Sequence, residues 1–182
     1  MPIRNTTTRW GSVAQLLHWV IVALIVTQFV LGYKAHWATG FAKLSAVVPH
    51  KSWGITILAL AIIRLVWRLM NPTPSLPPGL KPWERLAAHV THYGLYTLLF
   101  VMPLLGWVAS SARSFPVSWF GLLQLPDFVA PNRPLYDVLM GFHYWLSWVL
   151  VAIAALHILA ALKHHFVLRD DVLRRMLPFT RT

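Results

Sequence analysis

Apolar residues gather in four long runs, Trp10–Tyr33, about Pro49–Leu69, Leu86–Ser111 and Val138–Leu162, separated by shorter polar segments rich in proline. A hydrocarbon core of about 30 Å takes roughly 20 helical residues, so each run is long enough to cross once. The first and third contain no Asp, Glu, Lys or Arg. The second carries Lys51 near one end and Arg64 and Arg68 near the other, and Lys163 closes the fourth. The pattern predicts an all-α integral membrane protein, a bundle of four transmembrane helices over about 10–33, 49–69, 86–111 and 138–166. A single membrane domain over 1–182 is expected.

Proline sharpens these limits. Pro49 is expected in the first turn of the second helix, where its missing N–H costs nothing, and Pro103 should kink the third near its far end. Residues 71–79 (NPTPSLPPG) read as a stiff extended connection, and Pro116–Pro134 as an irregular loop. The first run exceeds a signal-peptide core and lacks a small-x-small cleavage site after it, so it is read as a retained helix.

Composition agrees. Of 182 residues, 57% are apolar and 12% charged, against about 25% charged in an average soluble domain. The chain has no Cys, which excludes disulfides, iron–sulfur clusters and thiolate metal sites. With five Asp and Glu in total, two-carboxylate hydrolysis and carboxylate-bridged di-iron chemistry are poorly supported. The formal charge of +11 would suit nucleic acid in a polar chain, but the apolar excess directs it to a membrane. With the N-terminus inside, eleven Lys and Arg fall on the inner side, Arg64, Arg68 and Arg181 among them. Five fall outside: Lys34, Lys43, Lys51, Arg113 and Arg133. The asymmetry predicts both termini in the cytoplasm.

Ionisable groups within membrane helices are costly, so each is a functional candidate. His143 and His157 in the fourth helix are 14 residues apart. They therefore share one face within about 40° and lie roughly 21 Å apart along the axis. His18, two turns into the first helix, lies level with His157; His50, opening the second, lies level with His143. Two imidazoles facing each other at one depth suit a six-coordinate haem iron, whereas zinc would need further ligands. His89 and His92 share a face of the third helix and leave three readings open: an alternative to His18 as ligand, the lining of a quinone site, or an interfacial pair. His36, His164 and His165 read as solvated or snorkelling imidazoles. Gly54, Gly94 and Gly106 are candidates for positions where a flat ring approaches the backbone, or for plain helix packing. Arg64 and Arg68, one turn apart, suit the carboxylates of haem propionates; a positive-inside anchor is the alternative, and for Arg64 a quinone contact as well. Most Trp residues read as an interfacial belt.

Leu17-His18-Trp19, His50-x-x-x-Gly54, Arg64-Leu-Val-Trp-Arg68 with Asn71-Pro-Thr-Pro74, His89-x-x-His92, Met102-Pro-Leu-Leu-Gly106, the His143/His157 pair and the tail from His164 to Pro178 together resemble the bacterial cytochrome b561 family. The resemblance covers nearly the whole chain. It implies two haems b, with His18 and His157 as ligands of an inner iron and His50 and His143 of an outer one. It also implies a bacterial inner-membrane location and electron transfer. The family includes proteins that oxidise superoxide at the outer face and reduce ubiquinone, while similar four-helix cytochromes serve as membrane subunits docked to hydrogenases or formate dehydrogenases.

Bis-imidazole iron offers no open site, so one-electron transfer rather than oxygen activation is expected. The expected partners are lipid, a quinone, and superoxide or another one-electron donor, with a redox protein partner in the docked alternative. Lys34, Lys51, Arg113 and Arg133 are candidates for steering an anion to the outer face; a solvated surface is the bland alternative.

Overall fold

The computed structural model describes residues 2–178; Arg181, one of the inner-side cations counted above, lies outside them. Four helices follow one another: α1 (Ser12–Trp37), α2 (Gly40–Leu69), α3 (Pro82–Ala112) and α4 (Arg133–Lys163), the last continued by a π-helical turn over His164–Leu168. All four are long and apolar enough to cross a membrane.

The limits differ from the apolar runs where polar signals extend a helix beyond its lipid-compatible stretch. α2 begins at Gly40, so Pro49 lies inside the helix rather than in its first turn. Residues 41–48 carry no breaker, and an interior proline keeps a helical φ at the loss of one hydrogen bond. α4 starts at Arg133 instead of 138. Asn132 Oδ1 caps it by accepting the Leu135 N–H at 3.0 Å, Pro134 suits the first turn, and Arg133 bridges to Asp137. α3 opens at Pro82, with Glu84 accepting the Lys81 N–H at 3.1 Å. The π turn ends at Arg169, whose φ of 55° is left-handed. The loop expected between α3 and α4 holds a small hairpin, β1 (Ser118–Trp119) antiparallel to β2 (Leu123–Gln124). Phe120 and Gly121 both adopt positive φ at its turn.

Two compact units divide the chain: Met1–Val20, Ile62–Thr97 and Leu150–Thr182 form one, Ile21–Ala61 and Leu98–Val149 the other. The first is tied by its termini. Asn5 Oδ1 accepts the Gly11 N–H, Gln15 Nε2 donates to the Arg175 carbonyl at 3.0 Å, and Trp19 Nε1 donates to the Met176 carbonyl at 3.0 Å. In the second unit, the loop after α3 is bolted to helices by polar side chains. Lys51 Nζ donates to the Phe115 and Pro116 carbonyls. Ser52 Oγ accepts the Phe120 N–H, and Trp119 Nε1 donates to Thr56 Oγ1.

Burial follows the logic of lipid. Buried positions are mainly small, such as Ala46, Ala61, Ala109, Ala112, Ser52 and Ser111, whereas Val26, Leu156 and Leu159 are exposed. No residue of α4 is buried, although it is strongly apolar. Small residues let helices approach closely, and large apolar side chains facing lipid carry no penalty.

Candidate cofactor site: two histidine pairs

The second unit brings His50 of α2 and His143 of α4 together. Their ring centroids are 6.0 Å apart and their planes inclined by 73°. Behind each ring stands a glycine of a different helix. A Cβ on Gly32 of α1 would come 3.4 Å from His50 Cε1 and 3.7 Å from Nδ1; one on Gly106 of α3 would meet His143 Cε1 and Nδ1 at the same two distances. One turn before each glycine, the Gln28 and Met102 backbones lie against the His50 and His143 rings. Both Nδ1 atoms are buried and fall short of full hydrogen-bond geometry. Gln28 Nε2 also donates to the His50 carbonyl at 2.9 Å, joining α1 to α2.

The first unit brings His18 of α1 to His157 of α4, at 6.3 Å between centroids and 72° between planes. The groups behind these rings are polar. Arg64 of α2 donates through Nη1 to the Ala14 carbonyl at 3.0 Å and approaches His18 Nδ1 through Nη2 at 3.4 Å. His92 of α3 stands 5.3 Å from His157. Tyr96 lies under both arginines, 6.0 Å from the Arg64 guanidinium and 5.5 Å from that of Arg68. His89 is exposed and stacks on Tyr93 instead.

One spacing runs through all four helices. His18/Gly32, His50/Arg64, His92/Gly106 and His143/His157 are each 14 residues apart, so each pair shares a helix face four turns apart. One member of every pair lies in each unit. The spacing in α4 was evident from its two histidines; the same interval would have exposed Gly32, which sequence reasoning overlooked because α1 has one histidine. Of the glycines singled out there, Gly106 backs a histidine, Gly54 faces Gln28 and Gly94 faces Ile153. Tyr96 had no sequence signal, since its role depends on two arginines of another helix.

The proposed outer-face cations differ in what holds them. Lys34 and Arg113 are exposed, the latter 5.2 Å over the Tyr136 ring. Arg133 is paired with Asp137 at 2.9 Å. The Lys51 ammonium is half-buried, held by two carbonyls and the Phe115 ring.

The family model of the prokaryotic cytochrome b561 matches residues 9–179. The chain belongs to this family. Among curated relatives, the cytochrome b561 homolog 2 of Escherichia coli K12 is 35% identical over 97% of this chain and 95% of its own length. The probable superoxide oxidase CybB of Yersinia pestis is 33% identical over 91% and 93%. The cytochrome b561 homolog 1 of E. coli K12 is 28% identical over 93% and 97%. Membership makes the chain a bacterial membrane electron-transfer protein and implies haem b.

The residues fit such a group. With a metal–nitrogen bond of about 2 Å on each side, and each nitrogen roughly 1 Å from its ring centroid, two imidazoles that would hold one metal between them have centroids roughly 6 Å apart. His50/His143 and His18/His157 meet that spacing, and His92/His157 is too close for it. Among the described residues, no group of three or more His, Asp or Glu could hold a metal ion as a polydentate cage. A metal-bound histidine normally turns its other ring nitrogen to a carbonyl or carboxylate, which is where the Gln28 and Met102 backbones stand. Arg64 forms no ion pair with a carboxylate of the described chain, as a residue reserved for a cofactor carboxylate would.

Proposed function

We propose that this cytochrome b561 family member is a di-haem superoxide:quinone oxidoreductase of the bacterial inner membrane, with both termini cytoplasmic. His50 and His143 would hold one haem b on the outer side, His18 and His157 a second on the inner side. When bound, haem b supplies one-electron chemistry. The single observation that carries the reading is the presence of two imidazole pairs, each at the spacing of a shared metal.

The chain's own residues shape the rest. Two imidazoles at each level leave no room for a dioxygen ligand, so substrate oxidation proceeds by electron transfer alone. At the outer face, Lys34 and Arg113 would raise the local concentration of an anionic donor. Each superoxide gives up one electron and leaves as dioxygen. Two such events supply the two electrons that, with two protons, convert ubiquinone to ubiquinol. Arg64 and Arg68, with Tyr96 beneath them, would hold the propionates of the inner group. The similarity to a probable superoxide oxidase supports superoxide as donor.

Stopped-flow mixing of the purified protein with a superoxide source tests the reading. Haem absorbance should change to the reduced form quickly and more slowly as salt rises, because the screening length falls from about 10 Å at 0.1 M to about 3 Å at 1 M. Added ubiquinone should then restore the oxidised spectrum and appear as quinol. Negligible or salt-independent reduction by superoxide would favour a cytochrome subunit docked to a larger respiratory complex.

A further inference from the structure

We infer that Gly32 and Gly106 are positioning residues for the outer centre, setting the orientation of the His50 and His143 imidazoles from behind. The inference rests on the reading that these two histidines ligate one haem.

The geometry is doubled. On α1 and on α3, a glycine faces the Cε1–Nδ1 edge of a histidine on another helix, where an added Cβ would come 3.4 Å and 3.7 Å from the ring in both cases. The Gln28 and Met102 backbones one turn earlier lie against the same rings. A ring whose Cε1–Nδ1 edge faces a backbone has its rotation limited from that side, and the two rings so limited face each other at 6.0 Å between centroids. A methyl at either glycine would just touch the ring, and a branched side chain would overlap it. The ring would then rotate or retreat, and the 73° angle between the planes would change. No glycine plays this part at the inner pair, where Arg64 and His92 occupy the 14-residue partners of His50 and Gly106. The device therefore acts on one centre of two.

Helical glycines are often mere packing sites, and Gly94 supplies the control. It lies in α3 with Gly106, and a Cβ there also meets its neighbour at 3.4 Å, but the neighbour is Ile153 Cδ1. Full-length holoprotein would be compared as wild type, Gly32→Ala, Gly32→Val, Gly106→Ala, Gly106→Val and Gly94→Val. The readouts are haem per chain, low-temperature electron paramagnetic resonance, whose g values report the angle between axial imidazole planes, and spectroelectrochemical midpoint potentials. The outer signal should shift slightly in the Ala variants and strongly in the Val variants, with the inner signal unchanged and Gly94→Val like wild type at the outer centre. Selective loss of the outer haem in a Val variant, with a shifted signal in its Ala counterpart, supports the same assignment. Outer signals that stay constant through the series, or shift equally in Gly94→Val, overturn it. His50→Ala and His143→Ala separate the two levels of the argument: if neither removes a haem, the ligand assignment itself has failed.

Discussion

His92 stands closer to His157 than His18 does, at 5.3 Å between ring centroids against 6.3 Å. The shorter approach is too short for two metal–imidazole bonds in line, whereas the longer one matches them. His92 thus fits a neighbour of the proposed ligand rather than a ligand.

This separates the histidines by experiment. His18→Ala and His157→Ala should each remove about half of the bound haem, while His92→Ala should retain it. Haem-to-protein ratios from absorbance and protein assay decide the point. Loss of one haem in His92→Ala with full retention in His18→Ala would reverse the inner assignment.

Arg64 is a cation in a membrane helix without a carboxylate partner among the described residues. Such a charge is expensive unless something compensates it, and a haem propionate is the anion expected there. Arg64→Gln should weaken retention of the inner haem. One lost charge-assisted hydrogen bond is worth about 1.5–3 kcal/mol, or roughly 10- to 150-fold in the rate of haem loss to an apo-globin acceptor. Arg64→Lys should recover part of it. A loss rate equal to wild type would remove the propionate role.

Gly11 is buried where the N-terminal segment folds back, and a Cβ there would clash with the Ile3 carbonyl oxygen and the Arg4 carbonyl group. Both sides of that contact are backbone, so no flexible side chain can yield. Gly11→Ala should destabilise the protein by about 1–3 kcal/mol, the usual cost of overpacking, seen as a lower midpoint in detergent-phase thermal unfolding. Unaltered unfolding would mean that the N-terminal segment is not held against Gly11 in solution.

Superoxide steering should fall mainly on Lys34 and Arg113. Asp137 already neutralises Arg133, and the Lys51 ammonium is engaged by the loop carbonyls. Charge reversal at Lys34 and Arg113 together should slow haem reduction by superoxide several-fold at low salt and little at high salt. Lys51→Met should chiefly loosen the loop, visible as faster proteolysis within residues 113–132. Equal rates for the Lys34/Arg113 variant and wild type at low salt would dismiss steering.

By itself, the sequence determined that four helices cross a membrane, because apolar run length and the absence of interior charge are one-dimensional properties set by bilayer thickness. It also predicted the pairs His18/His157 and His50/His143, whose rings the structure brings to 6.3 Å and 6.0 Å, since rise per residue converts spacing along one helix into height. The helix ends escaped it where a cap and a first-turn proline extend a helix past its apolar run, as at Arg133, and where no breaker stops it, as at Gly40. The tertiary structure alone decided what stands behind each ring: Gly32 behind His50, Gly106 behind His143, Arg64 against His18 and His92 beside His157. Which face of one helix meets which face of another is set by small-residue packing between segments distant in sequence. Spacing within a single helix carries no record of that choice.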